Sequence, residues 1–233
     1  MTTLIACSHG TRSDAGQAAI RGLVAAVRHR LAPVDVAETF VDVQQPQVAE
    51  VVAATDGPAV VVPLLLSAGF HVHVDIAEAV AGREDVVVAP PLGPSPVLTE
   101  VLADRLVQAG LRDDDRVVLA ASGSSDAGAL RDTDSARNRL AALLGRPVGL
   151  GHVGGPGRPI DRVVSDLRAS DPARRVVIAS YLLAPGWFRD RLDETGADLV
   201  SAPLLGVEPP DPRLVSLVVD RFRTAENDRR VVA

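Results

Sequence analysis

The sequence runs twice through one order of elements. Short apolar runs alternate with amphipathic stretches, and the series recurs after about 115 residues, a period that implies a duplicated unit in which helices cover a parallel sheet. In the first half, Leu4 to Ser8, Val34 to Val41, Val60 to Leu66 and Val86 to Val88 predict strands. Helices are expected over Asp14 to Leu31, from Pro46 onward, from the turn at Ser67 to Gly69 through Ala81, and over Pro96 to Ala109. The second half gives strands at Val117 to Ala121, Pro147 to His152, Val176 to Ser180 and Leu199 to Ser201. Particular residues repeat too: Ser13-Asp14-Ala15-Gly16 returns as Ser125-Asp126-Ala127-Gly128, and the stretch from Leu65 to Phe70 returns loosely as Leu182 to Trp187.

The charged run from Arg112 to Asp115, inside Gly110 to Arg116, reads as a solvated linker, which divides the chain into domains 1–112 and 113–233. Apolar residues reach 47% and aromatic ones only 3%, so the interior must be built from Val, Ala and Leu, as suits buried parallel strands. A net charge of -6 excludes a general nucleic-acid surface, which needs a basic face. The basic residues are all Arg, a side chain suited to bidentate carboxylate contacts, although compositional bias explains the lack of Lys equally well. Cys7 is the single cysteine, which removes an intrachain disulfide and a cysteine-built zinc or iron-sulfur site and fits a reducing cytoplasm. No leader pattern and no run long enough to span a bilayer stand out, so a soluble cytoplasmic protein without a membrane partner is expected.

Ligands of open α/β sheets bind beyond the carboxyl ends of the strands. His9 follows the first strand there, His71 the third, and Asp42 the second. Imidazole accepts Fe, Co, Ni or Zn, and a carboxylate orients a histidine or takes protons, so this set suits metal and proton chemistry. Taken singly, each also has an ordinary explanation as a loop histidine, a turn-capping aspartate or a helix start. His73 stands two residues beyond His71 as a reserve ligand or surface residue, His29 falls on a helix face, and His152 reads as structural.

Leu4-Ile5-Ala6-Cys7-Ser8-His9-Gly10-Thr11-Arg12 and Pro63-Leu64-Leu65-Leu66-Ser67-Ala68-Gly69-Phe70-His71 resemble the sirohydrochlorin cobaltochelatase and ferrochelatase family, the class II chelatases. The segment Phe40 to Pro46 is similar as well, with Asp42 where that family often has glutamate. The resemblance is to the long form and implies two flavodoxin-like or Rossmann-like domains, ATP-independent insertion of Co²⁺ or Fe²⁺, with Ni²⁺ also acceptable to imidazole, and no nucleotide. It further implies a polycarboxylate tetrapyrrole held between the domains of a monomer with pseudo-two-fold symmetry. His9 and His71 would be catalytic and metal-binding, with Asp42 assisting. Arg12 and Arg189 would contact carboxylates, and Trp187 and Phe188 would stack on the macrocycle. Across the repeat, Ser122 falls near the place of His9, Gly155 near Asp42 and Phe188 near His71, so the second domain is expected to have lost the chemistry. Two other readings stay open: a tetrapyrrole or metal carrier, and an enzyme like the histidine phosphatases, whose arginine before the histidine is Ser8 here.

Overall fold

A computed structural model describes residues 1–67, 69, 71–206 and 208–232, with the backbone alone for His71, Val72, His73 and Val232. The chain forms two compact units, Met1–Gly93 with Glu208–Ala233, and Pro94–Val207. In the first unit, β1 (Thr3–Ser8), β2 (Val36–Phe40), β3 (Ala59–Pro63) and β4 (Val86–Val88) make a parallel sheet in the order β2-β1-β3-β4. Alternate β1 residues serve opposite faces. Ile5 and Cys7 pack with Val48 and Val52 of α2 (Val48–Ala54) and with Ile76, the last residue of a π-helical turn His71–Ile76 that runs into α3 (Ala77–Val80). The other face carries α1 (Asp14–Leu31) and α8 (Pro212–Val232), which pack on each other.

The start of α1 follows from local chemistry. The Ser13 side chain accepts from the Gly16 amide at 3.3 Å, Asp14 lies in the first turn and Arg28, His29 and Arg30 in the last, matching the helix dipole at both ends. Ala19, Ile20, Leu23, Val24, Val27 and Leu31 recur at helical spacing and are buried.

The second unit repeats the arrangement with β5 (Arg116–Ala121), β6 (Val148–His152), β7 (Val176–Tyr181) and β8 (Leu199–Val200), ordered β6-β5-β7-β8 and parallel. α6 (Ile160–Ser170) and α7 (Trp187–Asp193) pack on the face holding Val118, Ala120 and Ile178. The fold is thus α/β with two parallel four-stranded sheets, as expected. The remaining helices, α4 (Pro96–Ala109) and α5 (Ala127–Leu144), pack on each other within this unit, α4 also against β7 and α5 against β6.

The division at 112/113 is therefore corrected. Helix α4 comes from the first half of the sequence but belongs to the second unit, where Leu98, Val101, Leu102 and Leu106 are buried and the Arg105 guanidinium donates to the Leu204 carbonyl at 3.0 Å. Helix α8 makes the reverse exchange. The segment from Gly110 to Arg116 is no boundary either: it lies inside the second unit, and Asp115 is buried there. Its carboxylate accepts from the Arg175 guanidinium at 2.8 and 2.6 Å and from the Arg112 amide at 2.7 Å, and the Arg175 contact holds the carboxyl below its usual pKa. The repeat also shifts by one residue at the first helix of each unit. Asp126, not Ser125, takes the capping place of Ser13, accepting from the Ala129 amide at 2.8 Å.

His152 ends β6 where Phe40 ends β2, as the registers Ala121 with His152 and Ser8 with Phe40 show. It is 5% exposed and neither ring nitrogen completes a hydrogen bond. Burial pulls its pKa below 6.5, against a weaker opposite pull from the Arg158 backbone. The folded state then resists protonation that the unfolded state accepts, so the contribution is intact above pH 6.5 and is lost as pH falls toward the lower folded value. Replacing His152→Phe should raise the urea midpoint at pH 5.5 more than at pH 7.5. Equal gains at both values would rule out this titration.

Candidate functional site

The strand order places a topological switch between β1 and β3, where open sheets leave a crevice at their carboxyl edge. The loops leaving β1 and β2 there are joined through their backbones. The Val41 amide donates to the Ser8 carbonyl at 3.0 Å and the Asp42 amide to the His9 carbonyl at 3.1 Å, continuing the parallel ladder past the strand ends. Gly10 has φ +91°, and a Cβ on it would stand 2.3 Å from the Asp42 carbonyl oxygen, so glycine alone permits this approach. Beyond it, the Thr11 amide donates to Gln44 Oε1 at 2.8 Å, and Thr11 Oγ1 accepts from the Ser13 amide at 3.1 Å, leading the loop into α1.

His9 and Asp42 are thereby neighbours in space, and both side chains are exposed. His9 Nδ1 lies 3.4 Å from the Gly10 carbonyl. Asp42 Oδ1 accepts from the Val43 amide at 2.7 Å. The Gln44 amide in turn donates to the Asp42 carbonyl at 2.7 Å, closing a three-residue γ-turn about Val43. Val43 has φ +64° and is the one non-glycine residue with positive φ among those described. For a β-branched side chain that conformation is strained by about 1–3 kcal/mol, a cost found most often at functional sites.

The backbone of His71 opens the π-helical turn on the chain that leaves β3, and π-helical turns are rare and concentrate at functional sites. The side chains of His71 and His73 lie outside the described residues, as do Ala68 and Phe70 of the segment leading to them. Cys7 is buried, and burial, helped by the Asp75 carboxylate, pushes its thiol up to about 12, which leaves it a neutral core group rather than a thiolate ligand. No three His, Cys, Asp or Glu residues converge as metal ligands among those described. The first unit has a recess of 280 Å³ lined by Val41, Gln47, Asp75 and Glu78, among others. A larger one of 580 Å³ lies between β4 and the end of α8 and is lined by none of the expected site residues.

The expected ring-holding residues divide. Arg12 is exposed in the loop carrying His9 and makes no ion pair among the described residues. Trp187 and Phe188 begin α7 in the second unit, 63% and 41% exposed, edge to face at 5.1 Å, with the Arg191 guanidinium 6.0 Å from the Trp187 ring. Arg189 does not fit a carboxylate contact. Its guanidinium pairs with Asp193 at 2.7 Å and donates to the Ser201 carbonyl at 3.2 Å, fastening α7 to the chain beyond β8.

The second unit keeps the scaffold without the side chains. Gly123, at φ +96°, would place a Cβ 1.9 Å from the Gly154 carbonyl, and the Gly154 amide donates to the Ser122 carbonyl at 2.9 Å. Ser122 thus occupies the place of His9 as expected, while Gly154, one residue before the expected Gly155, occupies that of Asp42. Sequence reasoning missed Gln44, Thr11 and the turn at Val43; the glycine after His9 was the one signal of a close loop contact.

Substituting Gly10→Ala should cost about 2 kcal/mol or more in urea unfolding, since the added methyl meets backbone and the φ is left-handed. Gly22→Ala, in α1 with open space around it, should instead gain about 0.5–1 kcal/mol. Equal effects of the two would refute the close approach.

Residues 3–109 match the CbiX family model. No curated protein matches the chain significantly by sequence. Among solved structures, SirB from Bacillus subtilis with Fe³⁺ superposes with a TM-score of 0.81 at 22% identity, over 98% of this chain and 97% of that one. The sirohydrochlorin chelatase SirB from Bacillus subtilis subspecies spizizenii, in complex with cobalt, gives 0.76 at 21% over 97% of each chain. CbiX, the terminal enzyme for biosynthesis of siroheme in denitrifying bacteria, gives 0.67 at 17%, over 96% and 99%. Residues 3–109 thus resemble the CbiX family, and the chain as a whole has the α/β fold of the SirB and CbiX structures.

Proposed function

We propose that the chain inserts a divalent metal, Co²⁺ or Fe²⁺, into sirohydrochlorin without ATP, in the formation of cobalamin or sirohaem. The observation that carries this reading is the backbone pairing of the loops bearing His9 and Asp42, which brings a histidine and an aspartate, both exposed, to the carboxyl edge next to the β1/β3 switch. The SirB structures holding Fe³⁺ and cobalt support the metal class.

Insertion exchanges the two inner pyrrole protons for one divalent ion, so the site must strip water from the ion and take up both protons. His9 and His71 bind the incoming ion through neutral imidazole and then accept the pyrrole protons, since one imidazole nitrogen can serve either as metal ligand or as proton acceptor. Asp42 assists by drawing protons away. Arg12 contacts ring carboxylates, and Trp187 and Phe188 offer aromatic faces to the macrocycle. The second unit, with Ser122 and Gly154 in the corresponding places, contributes binding rather than metal chemistry.

Insertion is followed by absorbance with the native chain and with His9→Ala and His71→Ala. Each substitution should slow it by about 100-fold or more. Undiminished rates in both would sink the assignment, and tight binding of metallated product without faster insertion would make the protein a carrier. Offering Co²⁺, Fe²⁺ and Ni²⁺ in competition identifies the metal.

A further inference from the structure

The two units give an internal comparison at the contact between the β1 and β2 loops. Both keep the glycine pressed against a carbonyl, and both keep the hydroxyl that accepts from an amide two residues on, Thr11 for Ser13 and Ser124 for Asp126. What differs is everything that fastens side chain to loop. Where the first unit has His9, Asp42, Val43 and Gln44, the second has Ser122, Gly154, Gly155 and Pro156. Gly155 takes the left-handed conformation, φ +74°, without the penalty Val43 bears, and Pro156 has neither an amide to close a γ-turn nor a side-chain acceptor for the opposite loop. The fold therefore needs neither the strained turn nor the glutamine. Both occur where the histidine and aspartate occur.

We infer that Gln44 is a positioning residue of the chelatase site: its Oε1, presented by the γ-turn at Val43, pins the His9 loop to the Asp42 loop through the Thr11 amide. The inference rests on the proposed metal insertion. The backbone pairing of Asp42 with His9 sets the height of the two loops, and the Gln44 to Thr11 bond, two residues beyond, sets their splay. Without it the half-buried Thr11 amide loses its acceptor, the β1 loop relaxes, and the imidazole leaves its place relative to the carboxylate. Because Gln44 acts through the Thr11 amide rather than on metal or ring, its loss should fall on turnover rather than on tetrapyrrole binding.

The test uses the full chain with Gln44→Leu, which keeps bulk and removes the acceptor, and Gln44→Glu, which keeps an oxygen at the same reach. Three quantities are read: the visible absorption of added Co²⁺ alone, kcat and KM for insertion into sirohydrochlorin, and the unfolding midpoint. Gln44→Leu should lower kcat about 10- to 100-fold with KM within about twofold, and should shift the Co²⁺ spectrum, while Gln44→Glu should return kcat to within about threefold of native. Native kcat and Co²⁺ spectrum in Gln44→Leu, in a background where His9→Ala is inactive, would overturn the positioning role and leave the chelatase reading intact. A loss that Gln44→Glu fails to restore would overturn it too. If the native chain inserts no metal, the chelatase reading fails alone, and the Co²⁺ spectrum decides: unchanged in Gln44→Leu counts against the role, changed and restored by Gln44→Glu supports it. Should Gln44→Leu not fold, Gln44→Asn, one methylene short of the Thr11 amide, takes its place with the same expectations.

Discussion

A missing methyl group governs the carboxyl edge of each sheet. Gly10 lies where a Cβ would press on the Asp42 carbonyl, and Gly123 stands in the same relation to Gly154. Backbone against backbone fixes the spacing of the first two loops whatever side chains they bear. Such a contact cannot relax by a rotamer change, which explains why it is identical in two units whose neighbouring residues have diverged. On this frame His9 and Ser122 occupy equivalent places with entirely different chemical capacity.

Strand centres and long helices were legible because their signals are local. The run Leu4-Ile5-Ala6-Cys7 is buried on both faces and reads as continuous apolar sequence, and α1 announces itself through the Ser13 cap and its buried stripe. The edge on which the candidate residues His9 and Asp42 fall was readable from the same periodicity, since strand ends and loop starts follow from it. The turn at Val43 was not, because local preference assigns left-handed backbone to Gly or Asn, and a strained valine is a departure from preference rather than an expression of it. Arg189 looked available for a ligand because its partners lie just beyond β8 and one turn further along α7. Asp115 looked solvated because its guanidinium partner lies 60 residues away. Each miss concerns a charge or a dihedral whose environment is built by distant chain.

Helix α4 shows how far tertiary packing overrides sequence order. Its four fully buried aliphatic side chains contribute about 2 kcal/mol apiece as an upper estimate, against a usual domain stability of about 5–15 kcal/mol. The second unit therefore depends on a helix encoded before its own first strand. The first unit draws on α8 to a similar extent, through Leu214, Val218 and Phe222.

The exchange of α4 and α8 bears on how such a chain could arise. A half-length ancestor ending after its fourth helix would send that helix away from its own sheet, leaving one apolar face bare. Two copies trading that helix would cover both faces at once, with no new surface to invent. Joining the copies end to end would then turn a mutual loan between molecules into an internal one, relieve each half of the need to find a partner at low concentration, and let one half keep its histidine while the other gave it up.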